Sequence, residues 1–176
     1  MQNEIIIAGF GGQGVLFAGQ LMTYAAMDEG KEVTWIPSYG PEMRGGTANC
    51  TVVIADEEIG SPLVRNPKAA IVMNLPSMEK YEPLVQPGGV LVVNSSLVPR
   101  EAVRKDITVV SIPANEIAEE LGEKRMANMV MLGGLLAHLP VLPVKAIEKA
   151  LGEHLPAKRQ KMLPANIEAM KRGAGY

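Results

Sequence analysis

Six short runs dense in isoleucine and valine punctuate the first two-thirds of the chain: EIIIAG (4–9), EVTWIP (32–37), NCTVVIA (49–55), AAIVMNL (69–75), GVLVVN (89–94) and ITVVSI (107–112). Their apolar residues are continuous rather than alternating, the pattern of strands covered on both faces. Such strands need helices above and below them. Segments of helical character fit between: 13–28, 76–85 with Pro76 near its start, and 115–121 with Asn115 as N-cap. After the sixth run only helices are expected. RMANMVMLGGLLAHL (125–139) is apolar all round and reads as a buried helix, whereas PVKAIEKALGEHL (143–155) and ANIEAMKR (165–172) are amphipathic. The fold class is therefore α/β, a parallel or mixed sheet between helices, and 176 residues suit one domain spanning 1–176.

Composition narrows the function classes. A formal net charge of -2 provides no basic field, so no nucleic-acid partner is expected. Seven of the 17 Lys and Arg lie in the last 32 residues (Lys145, Lys149, Lys158, Arg159, Lys161, Lys171, Arg172), interspersed with acids, and read as a solvated helix face without a ligand. The single cysteine, Cys50, permits no internal disulfide and no iron–sulfur cluster, which needs about four thiolates. The start, MQNEIII, has an acid where a signal peptide is basic, and the apolar stretch 129–139 is far below the roughly 20 residues that span a bilayer. A soluble, cytoplasmic protein with no membrane partner is the expectation.

Gly9, Gly11 and Gly14 fit G-x-G-x-x-G directly after a strand and at the head of a helix, with Gly12 a further position lacking Cβ. Backbone amides and the helix dipole favour an anion in such a turn. The same glycines also serve close strand-to-helix packing, and phosphate or partner binding is the favoured of the two readings. A dinucleotide site further requires an acid at the end of the second strand, about 20 residues on. That strand ends Ile36, Pro37, Ser38, and Glu29 precedes it, which counts against autonomous NAD binding. Gln13 stands where a small or apolar residue is common, its amide available to a ligand or a neighbouring chain.

The one long connection, SYGPEMRGGTA (38–48), follows the carboxyl end of a strand, the edge where α/β sheets gather ligands. It should therefore face the glycine turn. Within it, Arg44 offers a planar guanidinium for a carboxylate or phosphate, and Gly45 and Gly46 permit close backbone approach. A structural Glu42–Arg44 pair is the equal alternative. No catalytic set accompanies the loop. His138 and His154 read as ordinary helix residues, Cys50 as a buried thiol, and Met126, Met129 and Met131 as packing. There is no metal-ligand spacing, Walker pattern or nucleophile elbow.

GFGGQGV near the start, SYGPEMRGGTANC beyond it and ANMVMLGGLLAHL in the last third together resemble the gamma subunit of 2-oxoacid:ferredoxin oxidoreductases. The resemblance covers almost the whole chain, and S-Y-G-x-E-x-R-G-G is its specific part. It implies a Rossmann-like three-layer α/β/α domain with a helical C-terminal part. The implied enzyme converts a 2-oxoacid and coenzyme A to an acyl-CoA and carbon dioxide, passing electrons to ferredoxin, or runs the reverse. Thiamine diphosphate and the iron–sulfur clusters would sit in partner chains, namely alpha, beta and an iron–sulfur delta subunit. This chain would bind no cofactor alone but form one wall of a composite site near coenzyme A. Gly9, Gly11, Gly12, Gln13 and Gly14 would line it together with Ser38, Tyr39, Gly40, Glu42, Arg44, Gly45 and Gly46. GPEMRGGTANC (40–50) together with IGSPLV (59–64) is most similar to the 2-oxoglutarate branch, with branched-chain 2-oxoacid enzymes close to it. An indolepyruvate oxidoreductase subunit and a stand-alone nucleotide-binding or regulatory protein are the alternative expectations.

Overall fold

All six apolar runs become strands of one sheet in the computed structural model, which describes residues 1–39 and 47–176. They are β1 (Gln2–Phe10), β2 (Glu32–Tyr39), β3 (Thr47–Ala55), β4 (Ala69–Val72), β5 (Val90–Asn94) and β6 (Thr108–Ile112). The spatial order is β2-β3-β1-β4-β5-β6. β1, β4, β5 and β6 pair in parallel, while β3 runs antiparallel to both β1 and β2. Since β2 opposes β3, which opposes β1, only β3 is reversed, and the sheet is mostly parallel as expected. β2 is an edge strand, and Pro37, which lacks an amide hydrogen, lies within it opposite Cys50.

Helices cover the sheet unequally. On one face lie α1 (Val15–Asp28), α4 (Ala127–His138), α5 (Val144–His154) and α6 (Leu163–Ala174), whose apolar side chains join Ile5, Ile7, Val52 and Val92 in the larger core. On the other face α2 (Leu75–Tyr81) packs over β4 and β1, where Met78 and Tyr81 meet Ile6, Ala70 and Leu91. The buried helix expected near 125–139 is α4; ten of its 12 residues are buried, and Met126, Met129 and Met131 are core residues.

α4 and α6 cross with their backbones in near contact. A Cβ on Gly133 would lie 2.0 Å from the Met170 carbonyl oxygen, and one on Gly173 would lie 1.8 Å from that of Val130.

Helix boundaries differ from expectation at three places, the first being α1, which starts at Val15 rather than 13 because Gly14 is its left-handed N-cap. The segment 76–85 is not one helix: α2 ends at Tyr81, and Glu82–Leu84 tightens into a 3-10 turn around Pro83. The helix near 115 starts one residue earlier, as α3 (Ala114–Glu120), with Pro113 at its N-cap. Asn115 is not the cap; its Oδ1 accepts a hydrogen bond from Asn94 Nδ2 at 2.9 Å. The competing buried amide, which needs partners on both sides, outweighs a local cap.

Glu82 is the only buried charged side chain among the described residues. Its carboxylate accepts from Arg100 Nη1 at 2.9 Å and from the backbone amides of Val103 and Arg104 at 2.5 and 3.1 Å. Arg104 in turn donates to the carbonyls of Glu82, Pro83 and Val85 and to both oxygens of Asp106. One carboxylate thus organises the irregular segment that leads into β6.

Candidate functional site at the carboxyl edge of the sheet

The turn from β1 into α1 is built from its own backbone. Gly12 and Gly14 have φ of 93° and 74°, values in which a side chain is strained. The Gln13 amide donates to the Phe10 carbonyl at 3.2 Å, and the Gln13 side-chain oxygen accepts from the Phe10 amide at 2.6 Å. The carbonyl half of Gln13 is therefore spent on closing the turn, which Asn74 Nδ2 also approaches at 3.5 Å. No side chain among the described residues caps α1 or meets its leading amides, and its first turn holds no acid.

Long-range asparagines hold this edge, and sequence reasoning missed them. Asn128, at the start of α4, donates to the Gly14 carbonyl at 3.1 Å, and a Cβ on Gly14 would sit 2.4 Å from its amide nitrogen. Gly14 is thus required twice, by its φ and by the side chain seated against it. Asn74 caps α2 by accepting from the Ser77 amide at 2.9 Å. Asn94 ends β5 and links Met73, Ser96, Ala114 and Asn115. The Asn-x-Pro spacing of Asn74 and Pro76 carried a readable capping signal. Nothing local marks Asn128, whose partner lies 114 residues away.

The hairpin brings the two ends of the long connection to the same edge. Phe10 pairs with Thr47, Gly9 with Ala48, and Ser38 and Tyr39 with Asn49 and Ala48. Ser38 is exposed there. Gly40, Glu42, Arg44, Gly45 and Gly46 lie outside the described residues. Thr47 and Ala48 meet Gly11, Gly12 and Gly14 in a mostly apolar cleft of about 260 Å³. A larger cleft of about 450 Å³ adjoins it, sharing Gly12, Gly14 and Phe17 and bounded by Arg125, Arg159, Asn128 and Asn166. A third, of about 400 Å³, lies far from the turn beside β6; its Arg100 and Arg104 are committed to Glu82 and Asp106.

Other candidates are structural. Cys50 is buried against α1, where Gly19 leaves room for its sulfur, and its thiol donates to the Val15 carbonyl. Burial pushes the thiol up to about 12. At pH 8 the thiolate is about one part in ten thousand. Ellman's reagent is expected to label native Cys50 about a thousandfold more slowly than the denatured chain; comparable rates would contradict its burial. Such a lone thiol does not fit cluster ligation. His138 binds the Gly134 carbonyl of its own helix. His154 is exposed and stacks on Tyr24; its ligand atom lies within 4.8 Å of those of Asp28 and Glu153, an exposed group at the far end of α1 from the glycine turn.

The fold and this edge define an α/β domain with an uncapped glycine turn and, among the described residues, no carboxylate, histidine or cysteine lining the cleft between turn and hairpin. The chain belongs to the pyruvate ferredoxin/flavodoxin oxidoreductase family, whose model matches residues 4–176. The ketoisovalerate oxidoreductase subunit VorA of Methanothermobacter thermautotrophicus is 39% identical over 98% of this chain, which spans only 36% of that protein. The 2-oxoglutarate synthase subunit KorC of Methanocaldococcus jannaschii is 37% identical over 89% of this chain and 85% of its own length. The gamma subunit of a keto/oxoacid ferredoxin oxidoreductase from Geobacter sulfurreducens superposes with a TM-score of 0.85 at 29% identity, covering 99% of this chain and 95% of that one. No helix of the described residues is long and apolar enough to cross a membrane.

Proposed function

We propose that this chain is the gamma-type subunit of a 2-oxoacid:ferredoxin oxidoreductase that converts 2-oxoglutarate and coenzyme A to an acyl-CoA and carbon dioxide, or runs the reverse. The observation that carries this reading is the junction of the glycine turn with the β2–β3 hairpin: at this edge Gly9 pairs with Ala48, and Thr47 and Ala48 line a cleft with Gly11, Gly12 and Gly14 that holds no catalytic group among the described residues. Such an edge suits one wall of a composite site. Partner alpha and beta subunits would supply thiamine diphosphate, and a delta subunit the clusters that pass electrons to ferredoxin. The buried, high-pKa Cys50 agrees with that division.

The choice of 2-oxoglutarate rests on the KorC relative, whose length this chain nearly matches. A branched-chain 2-oxoacid is the second reading, favoured by the identity to VorA. Assay of the purified complex with 2-oxoglutarate, ketoisovalerate, pyruvate and indolepyruvate separates these readings. A preference of tenfold or more in kcat/KM for 2-oxoglutarate is expected, and a preference for any other acid overturns the assignment.

In this reading Arg44 meets an anion of coenzyme A or a partner carboxylate, Glu42 orients it, and Ser38, Tyr39 and Gly40 shape the loop. Gly45, Gly46 and the turn glycines admit close backbone approach. Arg44→Ala is expected to raise the apparent KM for coenzyme A about tenfold, the scale of one charge-assisted hydrogen bond, or to loosen the complex on gel filtration. Unchanged kinetics in an unchanged complex would remove Arg44 from the site.

A further inference from the structure

We infer that the chain carries a second small-molecule site at the opposite end of the sheet, a cleft that takes a short aliphatic acid bearing a hydroxyl or amino group next to its carboxylate. The cleft, of about 380 Å³, lies between the start of β1, the end of β3 and the link from α4 to α5. That volume is in the range of small-molecule sites. Asn3, which lines it, stands seven residues along β1 from Phe10 at the glycine turn, a distance of about 23 Å at the usual strand rise. An occupant here does not compete with one at the turn.

The lining is polar at one point without being satisfied there. Asn3 is 7% exposed, and its side-chain oxygen, closed off from solvent, has no donor among the described residues. A buried acceptor left unpaired destabilises a fold, and interiors avoid it unless something else supplies the donor. The missing partner must carry an O–H or N–H. Lys68, half-buried in the same lining, forms no ion pair among the described residues, whereas Lys31 and the Met1 amine are both engaged by Asp56. An anion is the complement of that lysine. Ile54, Ala55, Leu139, Pro140 and Val141 make the remaining walls apolar. A donor, an anion and a short alkyl group on one small molecule are what a 2-hydroxy or 2-amino acid combines. A 2-oxoacid has the carboxylate and the alkyl group but no donor, so the cleft separates oxoacids from their reduced or aminated counterparts. That a complex containing this chain turns over such oxoacids is the reading above; the selectivity rests on Asn3 alone.

The test measures, by equilibrium dialysis against the full chain, the binding of L-valine, 2-hydroxy-3-methylbutanoate and 3-methyl-2-oxobutanoate, three acids of one carbon skeleton. At least one of the first two is expected to bind about tenfold or more tightly than the oxoacid, because a site built around a hydrogen bond rejects the analogue that cannot make it. Which of the two binds tells an amino from a hydroxyl donor. Asn3→Leu, close in volume, should abolish the preference and raise the urea midpoint of the ligand-free chain, since it removes the unpaired acceptor. Lys68→Met should weaken binding of the preferred acid by about tenfold. A folded chain that binds none of the three acids overturns the site, even where Asn3→Leu stabilises it. Equal binding of the oxoacid, or a preference that survives Asn3→Leu, overturns the role of Asn3, and unchanged affinity in Lys68→Met overturns that of the lysine. None of these outcomes depends on turnover, so they stand apart from the substrate assay of the complex.

Discussion

Replacing Gly173 by alanine is expected to destabilise the chain by about 3 kcal/mol or more, at the top of the range for overpacking. The added methyl would stand 1.8 Å from the Val130 carbonyl oxygen and 2.6 Å from its carbon. Neither atom ends a flexible side chain, so α4 and α6 must move apart, and α4 is buried almost throughout. Gly133→Ala meets the Met170 backbone at 2.0 Å and should cost a similar amount. Gly134 faces the Ile112 Cδ1 at 2.3 Å, a group that can swing, so its alanine variant should lose less, about 1 kcal/mol. Gly152 has only a Leu163 methyl at 3.8 Å, so alanine there should be neutral or should stabilise by up to about 1 kcal/mol through helix propensity. Urea midpoints of the four variants check this ranking; equal midpoints for Gly173→Ala and Gly152→Ala would refute the backbone contact.

Glu82→Gln is the second large effect, expected at about 3 kcal/mol, because it leaves Arg100 without its counter-charge beside a buried amide. It also carries a pH signature. Burial alone would raise the Glu82 carboxyl, but the Arg104 amide, the Arg100 guanidinium and the Val103 amide outweigh it and hold it below the ordinary carboxylate value. Because the folded pKa is the lower one, the stabilisation is fully present above the unfolded value of about 4.3 and is lost as pH falls from there through the folded value. Stability measured from pH 7 to pH 3 should therefore decline less steeply below about pH 5 in the variant than in the parent. Parallel curves would show that Glu82 is not the titrating group.

These two sites also mark what a linear reading can and cannot see. The strands were legible because each carries a short run of apolar, mostly β-branched residues, and α4 because it has no polar face. The turn glycines were legible because strand, glycines and helix are contiguous. Glu82 was not, since nothing near EPLV tells a buried acid from a solvated one; only Arg100, Val103 and Arg104, folded back across about 20 residues, do so. Asn128 and Arg159 were hidden for the same reason, as helices from the last third close over a turn made in the first. The reversal of β3 follows from its link to β2: residues 40–46 are too few for a parallel crossover, which takes about a dozen or more.

The edge position of β2 has a last consequence. This fold presents its outer strand to every other copy in solution, and an open strand edge is a template for runaway stacking. Pro37 breaks the row of amide donors that an incoming strand would need, and Glu32 and Lys31 put charge at the strand's other end. The proline that interrupts the second apolar run thereby guards the chain against fibrous self-association.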